Sequence, residues 1–197
     1  MADSQKNGHI VIKIGGSLYD MPDLGSRLQT WLRRLDHPHV LLIPGGGRAA
    51  DLVRDWDRRH RLGEEKAHWL ALNALAFNAR FLATVLRGSK VIEDLADRHG
   101  ACASGDVPIL NMWKWAQGDE SQPDRLPHSW NVTSDSLAAR VAVQIEASQL
   151  ILLKSASAPE HGDWDRAARE GFVDTYFPTA IRKGHLQVCS VNFRGNW

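Results

Sequence analysis

The chain has 197 residues, 43% hydrophobic and 24% charged, with Lys+Arg 24 against Asp+Glu 23 and a formal charge of +1. That is an ordinary globular composition, long enough to bury a substantial core, and its charge balance excludes a nucleic-acid backbone as the main partner. The polar start MADSQKNG, the lack of an apolar run of membrane length, and two cysteines (Cys102, Cys189) outside any CxxC read as a cytoplasmic protein with free thiols.

In chain order, Ile10, Val11, Ile12 and Ile14 form a β-branched run that predicts a strand over 10–14. Leu24, Leu28, Trp31, Leu32 and Leu35 give helical spacing over 23–35. Val40–Ile43 is a second buried strand. Gly45–Gly47 make a turn, and a helix follows with Ala49, Leu52, Val53 and Trp56 on one face. Residues 64–86 form the longest periodic segment. Leu70, Ala74, Phe77, Phe81 and Val85 recur at helical intervals, and Leu72, Leu75 and Leu82 widen the stripe. So broad an apolar arc predicts a helix covered on more than one side, across the middle of the fold or at a subunit interface. A short strand at Val91-Ile92, a short helix over 94–99 and a strand at 108–110 follow. Residues 116–129, polar and with two prolines, read as loop. A helix runs from about Thr133 to Ala147, a strand covers Leu150–Leu153, a short helix 163–170, and a last strand 188–193. Apolar strands alternating with helices predict an α/β fold around a largely parallel sheet, read as a single domain over 1–197. Ligands of such sheets gather at the carboxyl ends of strands.

Three motifs fall at those ends. IVIKIGGS carries Lys13 inside a strand, followed by Gly15, Gly16 and Ser17. A buried ammonium needs an anion, and glycine backbone N–H groups approach phosphate oxygens closely. VLLIPGGGR places Gly45, Gly46, Gly47 and Arg48 before a helix, an acceptor for carboxylate or phosphate. Neither run is a Walker loop or a GxGxxG fingerprint. WNVTSDSLAAR sets Asp135 in the first turn of a helix, where it either complements the helix dipole or bridges cations. LILLKS ends in Lys154, either a strand-end lysine in water or a second phosphate ligand.

Together, KxGGS after the first strand, GGG after the second, an N-x-x-x-D helix start and a late strand lysine resemble the amino acid kinase superfamily. The resemblance runs from residue 10 to about 155. It implies a three-layer αβα sandwich that transfers the γ-phosphoryl of ATP, with Mg2+ arriving on the nucleotide, to a small acidic or phosphorylated acceptor. Lys13, Asp135 and Lys154 would be catalytic. Gly15, Gly16, Ser17 and Ser155 would join the lysines on the nucleotide, and Gly45, Gly46, Gly47, Arg48 and Asn131 would hold the acceptor. Such transfer works by positioning and charge neutralisation. The sequence departs from the family's Thr-Asp-x-x-G segment, with Ser155-Ala156-Ser157 after Lys154. The LLKS ending, the segment GFVDTYFP and the helix AHWLALNAL are most similar to a compact branch, that of the aminomethylfuran phosphate kinase of methanofuran biosynthesis. A protein on the same scaffold that binds nucleotide or oxyanion without turnover is the alternative.

His37 and His39 flank Pro38, and His60 and His161 sit in charged segments. No pair shows ligand spacing with a third partner, so no protein-bound metal is expected. His68 lies on the long helix, and Trp130 adjoins the third motif. The expected partner is a small molecule, with no nucleic acid or membrane, and the long helix suggests a homo-oligomer.

Overall fold

A computed structural model describes residues 8–159, 162–195 and 197. Most of the MADSQKNG start and His161 lie outside them. The strands are β1 (Ile10–Ile14), β2 (Val40–Pro44), β3 (Ser89–Ile92), β4 (Val107–Leu110), β5 (Gln149–Lys154) and β6 (Val188–Asn192). The helices are α1 (Leu24–Leu35), α2 (Gly47–His60), α3 (Glu64–Val85), α4 (Asp97–Ala103), α5 (Met112–Asp119), α6 (Ser134–Gln144), α7 (Trp164–Arg169) and α8 (Phe177–Lys183). The strands form one sheet in the order β3-β4-β2-β1-β5-β6, every pairing parallel. β1 and β2, central in that order, are buried at every residue, as strands covered on both faces must be.

Strand alternation sorts the core into two layers. Val11, Leu41, Ile43, Leu150 and Leu152 face α5, α6 and α8, while Ile12, Ile14, Leu42, Ile151 and Leu153 face α1. α3 serves both. Leu72 and Leu75 enter the first core, and Ala79 and Leu82 the second. Its broad apolar arc thus follows from its position between two cores.

Several expectations change. Of the stripe on α3, Leu70, Phe77 and Val85 are exposed, and the residues that had seemed to widen it carry the burial. On α2, Val53 is buried but Leu52 and Trp56 are exposed, because that helix packs chiefly on α3 and not on the sheet. α4 starts later than 94, since the Asp94 carboxylate accepts from the N–H of Ala96 in a local turn. Residues 116–119 belong to α5, whose Asn111 cap accepts from Lys114 and whose Trp115 and Ala116 are buried. α8 begins at Phe177-Pro178, where proline suits a first helical turn. Both cysteines are free thiols. Among the described residues no helix is long and apolar enough to cross a membrane.

At the amino ends of β1 and β2, His9, His39 and Cys102 meet. The third partner that spacing did not show is a cysteine 63 positions beyond His39 in the sequence.

Candidate active site

Register places the two lysines. Lys13 of β1 stands opposite Leu152 of β5, so Lys154 lies two residues further along the neighbouring strand, on the same face. That face is covered by α6, whose amino end carries Asp135. The Lys13 Nζ is 2.8 Å from Asp135 Oδ1, and the Lys154 Nζ is 2.8 Å from Oδ2. The Lys154 contact is a formed hydrogen bond. The Lys13 contact to Oδ1 is an ion pair. Lys154 also donates to the Phe172 carbonyl at 2.8 Å. Asp135 and Lys13 are each 4% exposed.

These charges set one another. Burial pushes the Asp135 carboxyl up, but the two ammonium groups outweigh it and hold it at about 2. Burial, then the charge of Lys13, pulls Lys154 down to about 8 against the opposing pull of Asp135 and Asp174. Asp135 is thus shared between two cations, with the Asp174 carboxylate acting on Lys154 as well.

Asp135 is fixed in place from outside its own helix. Asp174 Oδ2 accepts from the N–H and hydroxyl of Thr133 and from the N–H of Ser136, while Oδ1 accepts from the Ser136 hydroxyl and the N–H groups of Tyr176 and Phe177. It therefore caps α6 and α8 together. Sequence reasoning missed it, because its partners on α6 lie 38 to 41 residues away. The clue was an acid three residues before an aromatic-proline helix start.

The glycine loops interlock. A Cβ on Gly16 would fall 2.1 Å from the Gly47 nitrogen, and Gly47 itself has φ +50, a conformation glycine adopts without strain. Gly45 is buried beneath. Its N–H donates to the Tyr19 hydroxyl, and the Asn78 amide donates to the carbonyls of Gly45 and Gly46. Burial raises the Tyr19 phenol well above its ordinary pKa. Tyr19 and Asn78 were also missed, although Asn78 is a polar break in the apolar face of α3. Among the described residues, no acceptor engages the N–H groups of Gly16 and Ser17. Ser17 Oγ donates to Ser155 Oγ at 2.8 Å, tying the first loop to the end of β5.

A cavity of about 300 Å³ opens beside this cluster, with Gly16, Ser17, Gly46, Gly47, Ser134 and Arg54 in its wall. His68 and Trp130 also line it. The lysines themselves are not in the wall. The Trp130 indole donates to Asp57, and the Arg54 guanidinium lies 4.6 Å from its ring centroid. His68 stacks on His128 at 4.0 Å. Burial, then the neighbouring His128, brings His68 to about 4, so its imidazole is neutral.

Two expected acceptor contacts fall elsewhere. Arg48 is exposed and lines an adjoining outer cavity with Asp20, Phe77 and Phe81, which shares Gly16, Ser17, Gly47 and Asp51 with the first. Asn131 is exposed, and its carbonyl accepts from the N–H of Tyr176. The basic residue in the wall is Arg54, seven positions after Gly47 and hence on the same helical face, a spacing the sequence did offer. A further recess lies between Ala156, Ser157 and Phe172, just past Lys154.

Comparison with known proteins agrees with this geometry. The model of the "Amino acid kinase family" matches residues 9–158. The [5-(aminomethyl)furan-3-yl]methyl phosphate kinase of Methanocaldococcus jannaschii is 27% identical over 143 residues, which are 72% of this chain and 63% of that protein. The chain thus aligns with less than two thirds of that relative's length. Among solved structures, the uridylate kinase of Archaeoglobus fulgidus superposes with a TM-score of 0.65 at 14% identity, covering 93% of this chain and 90% of that one. The aspartate kinase of Synechocystis gives 0.68 at 10%, covering 96% and 38%. A parallel αβα sheet with two interlocked glycine loops, matched by the family model over three quarters of its length, makes this chain a member of the amino acid kinase family.

Proposed function

We propose that the protein is a small-molecule kinase that transfers the γ-phosphoryl group of ATP to a small acidic or phosphorylated acceptor. An aminomethylfuran phosphate is the leading candidate, by analogy with the relative from Methanocaldococcus jannaschii. One observation carries the reading: Lys13 and Lys154, 141 positions apart, both stand 2.8 Å from one buried carboxylate beside a cavity walled by both glycine loops.

The residues suit a polyphosphate. The Gly16 backbone approaches where a side chain would collide, and among the described residues its N–H and that of Ser17 have no acceptor. Both carboxylate oxygens of Asp135 face lysines, so Mg2+ would be held through phosphate oxygens and water. When bound, ATP supplies the phosphoryl group. Lys13 and Lys154 then neutralise charge that builds on the transferring group and leaving oxygen, and Asp135 fixes their ammonium positions. The N–H groups of Gly16 and Ser17 hold phosphate oxygens, and Ser155 steadies the Ser17 hydroxyl. Gly46, Gly47 and Arg54 line the acceptor side, with Arg54 as counter-charge for an acceptor phosphate. Neutral His68 offers a hydrogen-bond partner without adding charge.

The expected self-association is assigned to the exposed apolar side chains of α3, Leu70, Phe77 and Val85.

A thermal-shift screen with Mg-ATP, small phosphates, carboxylates and aminomethylfurans tests the proposal, with ATP consumption followed for every hit. Acceptor-dependent consumption is expected. Binding across the panel without consumption would establish the non-catalytic alternative instead.

A further inference from the structure

A second cluster lies at the opposite end of the strands. His9 precedes β1, His39 precedes β2, and Cys102 sits in α4, and one potential ligand atom from each lies within 4.8 Å of the others. The backbone at two of these points is anchored. Ser148 donates its N–H to the His9 carbonyl, and Ile10 donates to that of His39. His9 is 4% exposed, and its Nε2 is buried without a partner, as is His39 Nδ1. Buried ring nitrogens usually have a partner. Here two imidazoles with unpartnered nitrogens converge on a thiol whose one hydrogen bond is a weak 3.7 Å contact to the Val40 carbonyl.

We propose that His9, His39 and Cys102 form a binding site for a zinc ion, with a structural role separate from the phosphoryl-transfer site. Imidazole nitrogen and thiolate sulfur are the donors zinc prefers, at about 2.0 and 2.3 Å. Ligand atoms around a tetrahedral zinc stand about 3.4 Å apart, so closing the cluster requires a contraction of up to about 1.5 Å from the present spacing. Cys102 binds as thiolate, releasing its proton to solvent. Its negative charge offsets the guanidinium of Arg98, the one fixed positive charge felt at both His9 and Cys102. The exposed His99 ring, 4.6 Å from His9 between centroids, stands at the open side, where a fourth ligand or water completes a tetrahedron. The ion would join the starts of β1 and β2 to α4, which leads into β4.

The test uses tag-free full-length protein, offered ZnCl2 and then freed of excess, with zinc per chain measured by mass spectrometry. Stoichiometric zinc is expected for the wild type and only traces for Cys102→Ser and His9→Gln. A chelator should lower the melting temperature of the wild type and leave that of Cys102→Ser unchanged. Wild-type protein that retains only traces, or variants that retain as much as the wild type, would overturn the assignment. If the variants fail to fold, cobalt(II) offered to the wild type decides. A thiolate-to-cobalt charge-transfer band is expected, and its absence refutes the site.

Discussion

At the scale of single residues, the proposed mechanism rests on the two lysines paired with Asp135. Lys13→Ala and Lys154→Ala should each lower turnover by at least about a hundredfold. The folded state should persist, because Asp135 keeps one ammonium partner in either variant. Circular dichroism and steady-state rates check both parts. Wild-type turnover in either variant would remove that lysine from the mechanism. The low pKa of Lys154 adds a pH signature. Its ammonium is charged below about 8 and neutral above, so it ceases to attract phosphate as the pH rises. Since kcat/KM reports the free enzyme, it should fall about tenfold per pH unit above that value. Lys154→Arg should lose this basic limb, because a guanidinium stays charged through the range. A profile that is flat to pH 10 in the wild type would contradict the shift.

At the scale of elements, Asp174 is the organising residue. It accepts from six donors at the starts of α6 and α8. Asp174→Ala would leave buried N–H and hydroxyl groups unpaired and should cost about 3 kcal/mol in urea unfolding. Hydrogen exchange should quicken at the amino ends of both helices, and turnover should drop because Asp135 rides on the first of them. An unchanged urea midpoint would reduce Asp174 to a surface acid. The elements differ in how openly the sequence displays them. β1, β2 and β5 are short apolar runs ending in glycine or lysine, and their burial follows from composition alone. α5 hides behind Asn111, a cap that resembles loop chemistry, and α8 behind a proline that starts a helix where it might have ended one. In the site, Lys13, Asp135 and Lys154 show themselves because charge inside an apolar pattern is conspicuous. Asp174, Tyr19 and Asn78 act through contacts between distant segments, which no local pattern encodes. His9, His39 and Cys102 fail to stand out for the same reason, since parallel strand order alone brings their segments together.

At the scale of the whole molecule, α3 gives one stripe to two cores and still leaves apolar side chains in water. Phe77 is 64% exposed. If that face mediates self-association, Phe77→Glu should shift the protein to a smaller species in light scattering at a given concentration, with its circular dichroism unchanged. An identical mass for both proteins would place the contact elsewhere. The meeting of the two glycine turns has a mechanical consequence. Side chains usually act as springs between neighbouring segments, yielding by rotation when one of them moves. Gly16 and Gly47 touch main chain to main chain, with no such spring. Under the proposed assignment, the loops that would cradle donor and acceptor are coupled through peptide planes, and no rotamer change can widen the gap between them.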